Sequence, residues 1–185
     1  MTAGIQTSEY AFLLLYLLTA IERLVEVVVS NRHLAWSRRL GGVEYGQSHY
    51  PWMVALHTLF LVAAPLEVFV LHRVFAPWTG FPMLAIACGA QFLRWWCIQT
   101  LGERWNTRVV IVPSLPRITG GPYRWLNHPN YLAVVTEGFA LPLVHGAWLT
   151  AVGFSFLNAL LLRVRLRVEN SALRQLSGGN IGSSR

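Results

Sequence analysis

The segment at positions 120–132, GGPYRWLNHPNYL, carries an arginine, a histidine and several aromatic side chains between glycine and proline residues. Pro129 can occupy the first turn of a helix, where the missing N–H breaks no hydrogen bond. The free N–H groups and positive dipole end of such a helix favour an anionic ligand group. His128 directly precedes this start, where its ring either caps the backbone, the commoner role for a lone histidine, or holds a ligand.

The rest of this turn has two interpretations. Gly120 and Gly121 permit close backbone approach and positive φ angles, so the turn can fold tightly against a neighbour. Its aromatic residues, Tyr123, Trp125 and Tyr131, either contact a ligand or form an aromatic belt at a membrane surface. Which applies depends on the elements around the turn.

Composition indicates a lipid environment for those elements. Of the 185 residues, 54% are hydrophobic and 12% charged, against roughly 25% charged in an average soluble domain. Several apolar segments approach the roughly 20 residues that cross a bilayer, and the first lacks the form of a cleaved signal peptide. We predict an all-α integral membrane protein with about five transmembrane helices and a C-terminal helical hairpin. The segments are residues 11–29, 51–75, 80–101, 131–143 and 147–162.

The distribution of arginine predicts an orientation. All 15 basic residues are arginine, and the net charge is +7. Twelve of them fall after the first, third or fifth span, and positive residues in short loops stay on the cytoplasmic side. We therefore expect a multi-pass plasma membrane protein with its N-terminus outside and its C-terminus and active site cytoplasmic. A soluble basic face with stacking aromatics, as nucleic-acid binding requires, is not predicted.

Charged residues inside the predicted spans are a second indication of function. Glu22, Glu26, Arg94 and Glu137 come from three spans and lie at a similar depth, about 10 Å from the arginine-rich end. They either form ion pairs that hold the bundle together or line a polar pocket. Glu67, near the other end of its span, is expected to be a buried structural carboxylate.

Several other chemistries lack their motifs in this sequence. Cys88 and Cys97 are nine residues apart within one span, which favours apolar packing over a redox pair or a zinc site. No HExxH, GxSxG, Walker or GxGxxG motif occurs. We predict no metal ligand set.

The segments GPYRWLNHPNYL, EGFALPL and RLRVENSAL together resemble the isoprenylcysteine carboxyl methyltransferase family, whose pattern contains G-x-Y, R-H-P-x-Y and a later R-x-x-x-E-E. The resemblance covers roughly residues 90–176. In finer detail, GERWNTRVVIVP, HPNYLAVVTE and YGQSHYPWMVALH are most like a bacterial branch encoded beside type III polyketide synthases. That branch O-methylates alkylpyrones and phenolic lipids.

The resemblance implies S-adenosylmethionine as methyl donor, bound by the loop after the third span, the His-Pro turn and the last helix. It implies Arg165 as the residue that holds an anionic acceptor oxygen. Arg94 and Glu137, from the charges inside the predicted spans, are deeper catalytic candidates. Two positions depart from the pattern, because Asn127 and Asn170 replace an arginine and an acid; Arg124 or Arg117 is the expected substitute for the arginine. The implied cofactor-binding residues are Ile118, Gly121, Tyr123, His128, Pro129, Tyr131 and Glu169.

The resulting hypothesis is a membrane O-methyltransferase acting on an amphiphilic acceptor, such as an alkylpyrone or alkylresorcinol. The alternatives are a prenylcysteine carboxylate or phospholipid amine as acceptor, or, remotely, a non-enzymatic scaffold. We expect one methyltransferase domain over residues 1–176 and a flexible tail at 177–185. Within the domain, residues 8–101 hold three helices and 102–176 the catalytic region. Arg163 and Arg167 are expected to contact lipid headgroups.

Overall fold

The computed structural model describes residues 2–179, with side chains described for residues 6–172. Over this range the chain forms five α-helices and one small two-stranded sheet. Residues 180–185 of the predicted flexible tail lie outside the described residues, whereas residues 177–179 belong to the last helix. The helices are α1 Thr2–Arg39, α2 Tyr50–Val70, α3 Pro77–Leu101, α4 Pro129–Leu143 and α5 Trp148–Gly179; the strands are β1 Val43–Tyr45 and β2 Val109–Ile111.

Proline and glycine residues mark the ends of these helices. Helices α2, α3 and α4 each have a proline in the first turn, where it needs no hydrogen-bond acceptor. The prediction that α4 begins at Pro129 is confirmed. Gly102, with φ 53°, directly follows α3, and Gly146, with φ 70°, lies in the short turn between α4 and α5. These two helices pack together as the expected C-terminal hairpin.

The prediction of an all-α membrane protein is confirmed. Among the described residues, three helical segments are long and apolar enough to cross a membrane: Gln47–Val70, Pro77–Arg104 and Trp148–Ala172. Helix α1 has the length, but its apolar part contains Glu22, Arg23 and Glu26, and α4 has only 15 residues. Large apolar side chains such as Trp78 and Phe92 are exposed on the outer faces, as lipid contact requires.

Small residues allow the helices to pack closely. Ala64, Ala140 and Ala147 are completely buried in a cluster that also contains Phe154. A side chain at position 138 would collide with the Phe154 ring, so Gly138 lets α5 approach α4. Small residues play this part in membrane interfaces because lipid offers no hydrophobic force to draw helices together.

The two-stranded sheet was not expected from the sequence. Strands β1 and β2 pair antiparallel, with Glu44 opposite Val110. The Glu44 carboxylate lies 3.0 Å from Arg38 on α1 and 2.8 Å from Arg108 beside β2. Sheet and ion pairs together tie the loop after α3 to the end of α1.

Candidate functional site

One cavity has a volume of about 470 Å³, within the range of small-molecule sites. Most of its wall comes from three parts of the chain: the loop between α3 and α4, the start of α4, and the part of α5 that contains Arg165 and Glu169. These are the segments in which the resemblance places the cofactor. Ser37 of α1 and Leu101 of α3 also line the cavity.

A carboxylate, a phenol and an imidazole meet on one side of it. The Tyr131 hydroxyl donates a 2.7 Å hydrogen bond to Glu169, and Nδ1 of His128 lies 3.7 Å from the same carboxylate. The His128 and Tyr131 rings are nearly parallel, with centroids 5.3 Å apart. His128 occupies the position before α4 but makes no capping hydrogen bond, so the commoner role expected from the sequence was wrong.

Arg165 forms another part of the wall, above the Tyr131 ring. Its Nη2 donates to the Thr107 carbonyl at 2.9 Å, its Nη1 contacts the Met53 sulfur at 2.6 Å, and its guanidinium carbon lies 5.3 Å from the Tyr131 centroid. Within residues 6–172, the buried Nε of Arg165 and the buried Oδ1 of Asn130 have no hydrogen-bond partner. Both residues line the cavity, so an unsatisfied donor and an unsatisfied acceptor lie next to it.

Tyr123 contributes a neutral phenol to the wall. Burial, followed by the neighbouring Cys97, with which it forms a hydrogen bond, raises the pKa of Tyr123 well above its ordinary value. The hydroxyl therefore stays protonated at neutral pH. Trp125, in contrast, is 68% exposed, so of the three aromatic residues in this turn Trp125 is the one suited to a membrane surface.

Most of the residues carried over from the resemblance come together here. Five of the seven cofactor candidates line the cavity: Ile118, Tyr123, His128, Tyr131 and Glu169. Gly121 and Pro129 do not. Gly121 has φ 54° and packs beside Thr100, whereas Pro129 is fully buried in the first turn of α4.

The two departures from the family pattern are also located. Asn127 lines the cavity, and Arg117 lines it as well, so Arg117 is available where the family has its arginine. Arg124 instead lies over the exposed Trp125 ring, 6.0 Å from the centroid. Asn170 is exposed and outside the cavity wall, which leaves Glu169 as the carboxylate on this part of α5.

The intramembrane charges form a separate cluster. Arg94 lies 2.8 Å from Glu137 and 3.5 Å from Glu26. Glu22 is close by and accepts hydrogen bonds from Gln91 and from the Trp95 indole. The residues pair with one another, as the ion-pair interpretation expected. None of the four predicted charges lines the cavity described above, whereas Arg94 and Glu137 line a second, small cavity, as the polar-pocket interpretation expected.

Arg23 completes this cluster and was missed in the sequence. It lies 3.2 Å from Glu22, 2.8 Å from Glu26 and 3.5 Å from Glu137. Its position between two glutamates of α1 was the available signal, because an arginine at that depth needs a partner. Glu67 is buried, as expected, and accepts hydrogen bonds from two backbone N–H groups at the start of α5.

Further residues at the site were not anticipated. Asn130 lines the cavity beside Tyr131 at the start of α4. Thr107 and Met53 are outside the cavity lining and bind the Arg165 guanidinium. Asn130 lies between Pro129 and Tyr131 of the His-Pro-Asn-Tyr segment, so its position in the motif was a usable signal. Thr107 and Met53 lie far from Arg165 in the sequence, and no local pattern connects them.

The helices and their exposed apolar faces define an all-α membrane protein. The model of the isoprenylcysteine carboxyl methyltransferase family matches residues 83–175. The chain therefore belongs to that family.

Two relatives extend the similarity over the N-terminal half. An uncharacterised protein of Bacillus subtilis (strain 168), YpbQ, is 34% identical over 166 residues, which are 90% of this chain and 98% of the relative. An uncharacterised protein of Haemophilus influenzae is 28% identical over 155 residues, 83% of this chain and 90% of its own length. No solved structure matches the chain.

Proposed function

We propose that this protein is a membrane O-methyltransferase that uses S-adenosylmethionine and acts on an amphiphilic, lipid-like acceptor. The observation that carries the proposal is the meeting of His128, Tyr131, Arg165 and Glu169 at one cavity. All four belong to the segment that the family model matches.

The residues present fit such a cofactor. Glu169 can accept hydrogen bonds from ribose hydroxyls or an ammonium group, and the orphan Asn130 Oδ1 is a second acceptor. Tyr123 and Tyr131 offer aromatic faces to a sulfonium or an adenine. The start of α4 adjoins the same cavity and suits a carboxylate.

S-adenosylmethionine, when bound, supplies an activated methyl group with a good leaving group, so the protein chiefly has to align the acceptor and exclude water. Arg165 is suited to hold an anionic acceptor oxygen, since its Nε donor is buried and free of partners within residues 6–172. Glu169 is one turn away from Arg165 on α5, about 6 Å along the axis. The acceptor oxygen and the cofactor can therefore occupy neighbouring positions.

We infer an enolic or phenolic lipid, such as an alkylpyrone or alkylresorcinol, as the acceptor. The similarity of the loop after α3 and of the His-Pro segment to the polyketide-associated branch supports this choice. An enolic hydroxyl is acidic enough to arrive as an anion, which matches an arginine better than a general base. Prenylcysteine carboxylates and phospholipid amines are the competing acceptors.

Cofactor binding is the first test. His128→Ala and Glu169→Ala should each weaken the binding of S-adenosylhomocysteine roughly ten- to hundredfold, because each removes a polar contact at the cavity. Isothermal titration calorimetry on the protein in detergent measures this. Glu103→Ala, at an exposed acid outside the cavity wall, is the matched control. If both site variants bind S-adenosylhomocysteine as the parent does, these residues have structural roles, and the scaffold alternative is favoured.

Methyl transfer is the second test. Arg165→Ala should lower kcat roughly a hundredfold while leaving S-adenosylhomocysteine affinity nearly unchanged, since it removes a contact to the reacting oxygen. Arg165→Lys should recover only part of the lost kcat, because an ammonium group lacks the planar fork of the guanidinium. Arg167→Ala, at an exposed arginine two residues away, is the control. Radiolabelled donor is offered with an alkylpyrone, a farnesylcysteine analogue and a phospholipid amine; preference for either of the last two refutes the polyketide assignment.

We further propose that the arginine-rich end of the bundle, where the cavity lies, faces the cytoplasm, in line with the positive-inside rule. Cysteine labels near Arg39 and Arg117 should then be protected from an impermeant reagent in intact cells. A label at the exposed Thr79, beside the buried Gly80, should react. If the labels near Arg117 and at Thr79 behave alike, the proposed topology is refuted.

A further inference from the structure

Ser30 on α1 lies outside the segment that the family model matches, yet it contacts the cavity loop. It is 1% exposed. Its Oγ donates to Asn106 Oδ1 at 2.7 Å, lies 2.8 Å from Thr107 Oγ1 and accepts from the Thr107 N–H at 3.1 Å. The Asn106 amide returns a hydrogen bond to the Ser30 carbonyl at 3.2 Å.

These contacts fix Thr107, whose carbonyl binds Arg165. Ser30 binds both the N–H and the hydroxyl of Thr107, and the Tyr50 hydroxyl adds a contact at 3.4 Å. The remaining polar group, the Thr107 carbonyl, accepts the 2.9 Å hydrogen bond from Arg165. A chain of contacts thus runs from α1 through one residue to the cavity.

We propose that Ser30 is a positioning residue for methyl transfer, because it fixes the Thr107 carbonyl and thereby the guanidinium of Arg165. The inference rests on the proposed function. It assigns to α1, which is remote in sequence from the motif, a part in aligning the acceptor.

The physical reason is the freedom of the arginine side chain. An unrestrained arginine samples many rotamers, and its alignment with an acceptor oxygen is lost in most of them. The Met53 sulfur is a weak acceptor, so the Thr107 carbonyl is the stronger of the two acceptors that Nη1 and Nη2 of Arg165 contact. A shift of about 1 Å at such a support can lower the rate up to roughly a hundredfold.

The loop between α3 and α4 has a second contact with α1, which does not depend on Ser30. Nδ1 of His33 lies 2.8 Å from the Trp105 carbonyl, and Trp105 is 2% exposed. Because this contact does not involve Ser30, the loop should stay docked on α1 when the Ser30 hydroxyl is removed. The loss should then affect the orientation of Thr107 rather than the cofactor side of the cavity.

The experiment compares Ser30→Ala with Ser155→Ala. Both remove one hydroxyl, but the Ser155 Oγ has no hydrogen-bond partner within residues 6–172. With the alkylpyrone and radiolabelled donor, kcat of Ser30→Ala should fall roughly tenfold or more. Its affinity for S-adenosylhomocysteine should stay that of the parent, and Ser155→Ala should match the parent in both.

A double-mutant cycle distinguishes positioning from general destabilisation. In the Arg165→Ala background, Ser30→Ala should lower kcat little further, because the group that it positions is gone. Thr107→Val removes the hydroxyl bonded to Ser30 but keeps the carbonyl. In the Arg165→Ala background it should likewise lower kcat little further. If Ser30→Ala does not fold, the Thr107→Val cycle decides.

The outcomes separate this inference from the proposed function. Two results refute the positioning role even when the parent is active. In one, the reductions in kcat caused by Ser30→Ala and Arg165→Ala simply multiply in the double variant. In the other, Ser30→Ala loses S-adenosylhomocysteine binding. A parent protein that neither binds S-adenosylhomocysteine nor methylates any of the acceptors refutes the proposed function, and the inference with it.

Discussion

Replacing Arg94 with methionine should destabilise the protein more than replacing Glu137 with glutamine, although the two residues are partners. The ion cluster has three carboxylates and two guanidinium groups, so its formal charge is −1. Arg94→Met changes this charge to −2, and among the side chains of residues 6–172 it leaves Glu137 with one ion-pair partner, Arg23 at 3.5 Å. Glu137→Gln changes it to zero, and Arg94 keeps Glu26 at 3.5 Å.

The burial of the pair determines the size of the effect. The Arg94 and Glu137 side chains are 8% and 9% exposed. Removing one partner of a buried pair costs about 3–5 kcal/mol, which is the expectation for Arg94→Met. Glutamine still accepts a hydrogen bond from Arg94 and leaves no excess charge, so about 1–3 kcal/mol is expected for Glu137→Gln.

Unfolding of detergent-solubilised protein by denaturant, followed by circular dichroism, measures both changes. Arg163→Met serves as the control, because it removes an exposed arginine from α5. The reasoning fails if Arg94→Met unfolds at the same midpoint as the control, or if Glu137→Gln is the more damaging change. Variants that fold should still bind S-adenosylhomocysteine, since neither residue lines the cavity of about 470 Å³.

Three further predictions concern the turn and the helix starts. Gly121→Ala should lower stability by about 1–2 kcal/mol, because Gly121 has φ 54° beside Thr100; Gly120→Ala, at φ −86° and in open space, should be tolerated in the same unfolding assay. Glu67→Gln should cost about 1–2 kcal/mol, since it removes the negative charge at the start of α5, and an unchanged unfolding midpoint would contradict that capping role. The pKa of Tyr123 is raised in the folded protein above the value of about 10 expected in the unfolded chain. The protonated phenol therefore stabilises the fold fully below a pH of about 10, and this stabilisation is lost as the pH rises further. The unfolding midpoint of Tyr123→Phe should therefore vary less between pH 9 and pH 11 (about one unit either side of that value) than the parent's.

The sequence was sufficient for features that depend on local pattern. Apolar length indicated the helices, and Pro129 marked the start of α4 because a proline is tolerated only in a first turn. The spacing of Arg165 and Glu169 placed both on one face of α5, and both line the cavity. The similar depth of Arg94 and Glu137 within their spans predicted that they lie close together, because buried charges need partners.

Tertiary structure decided the features that depend on residues far apart in the chain. Arg165 contacts Thr107, which lies 58 positions away, and Thr107 contacts Ser30, 77 positions away. Strand β2 finds its partner in a loop between α1 and α2, and three-residue strands carry too little periodicity to be recognised. His128 turned toward Glu169 rather than capping its own helix, because a side chain selects among partners that only packing brings within reach.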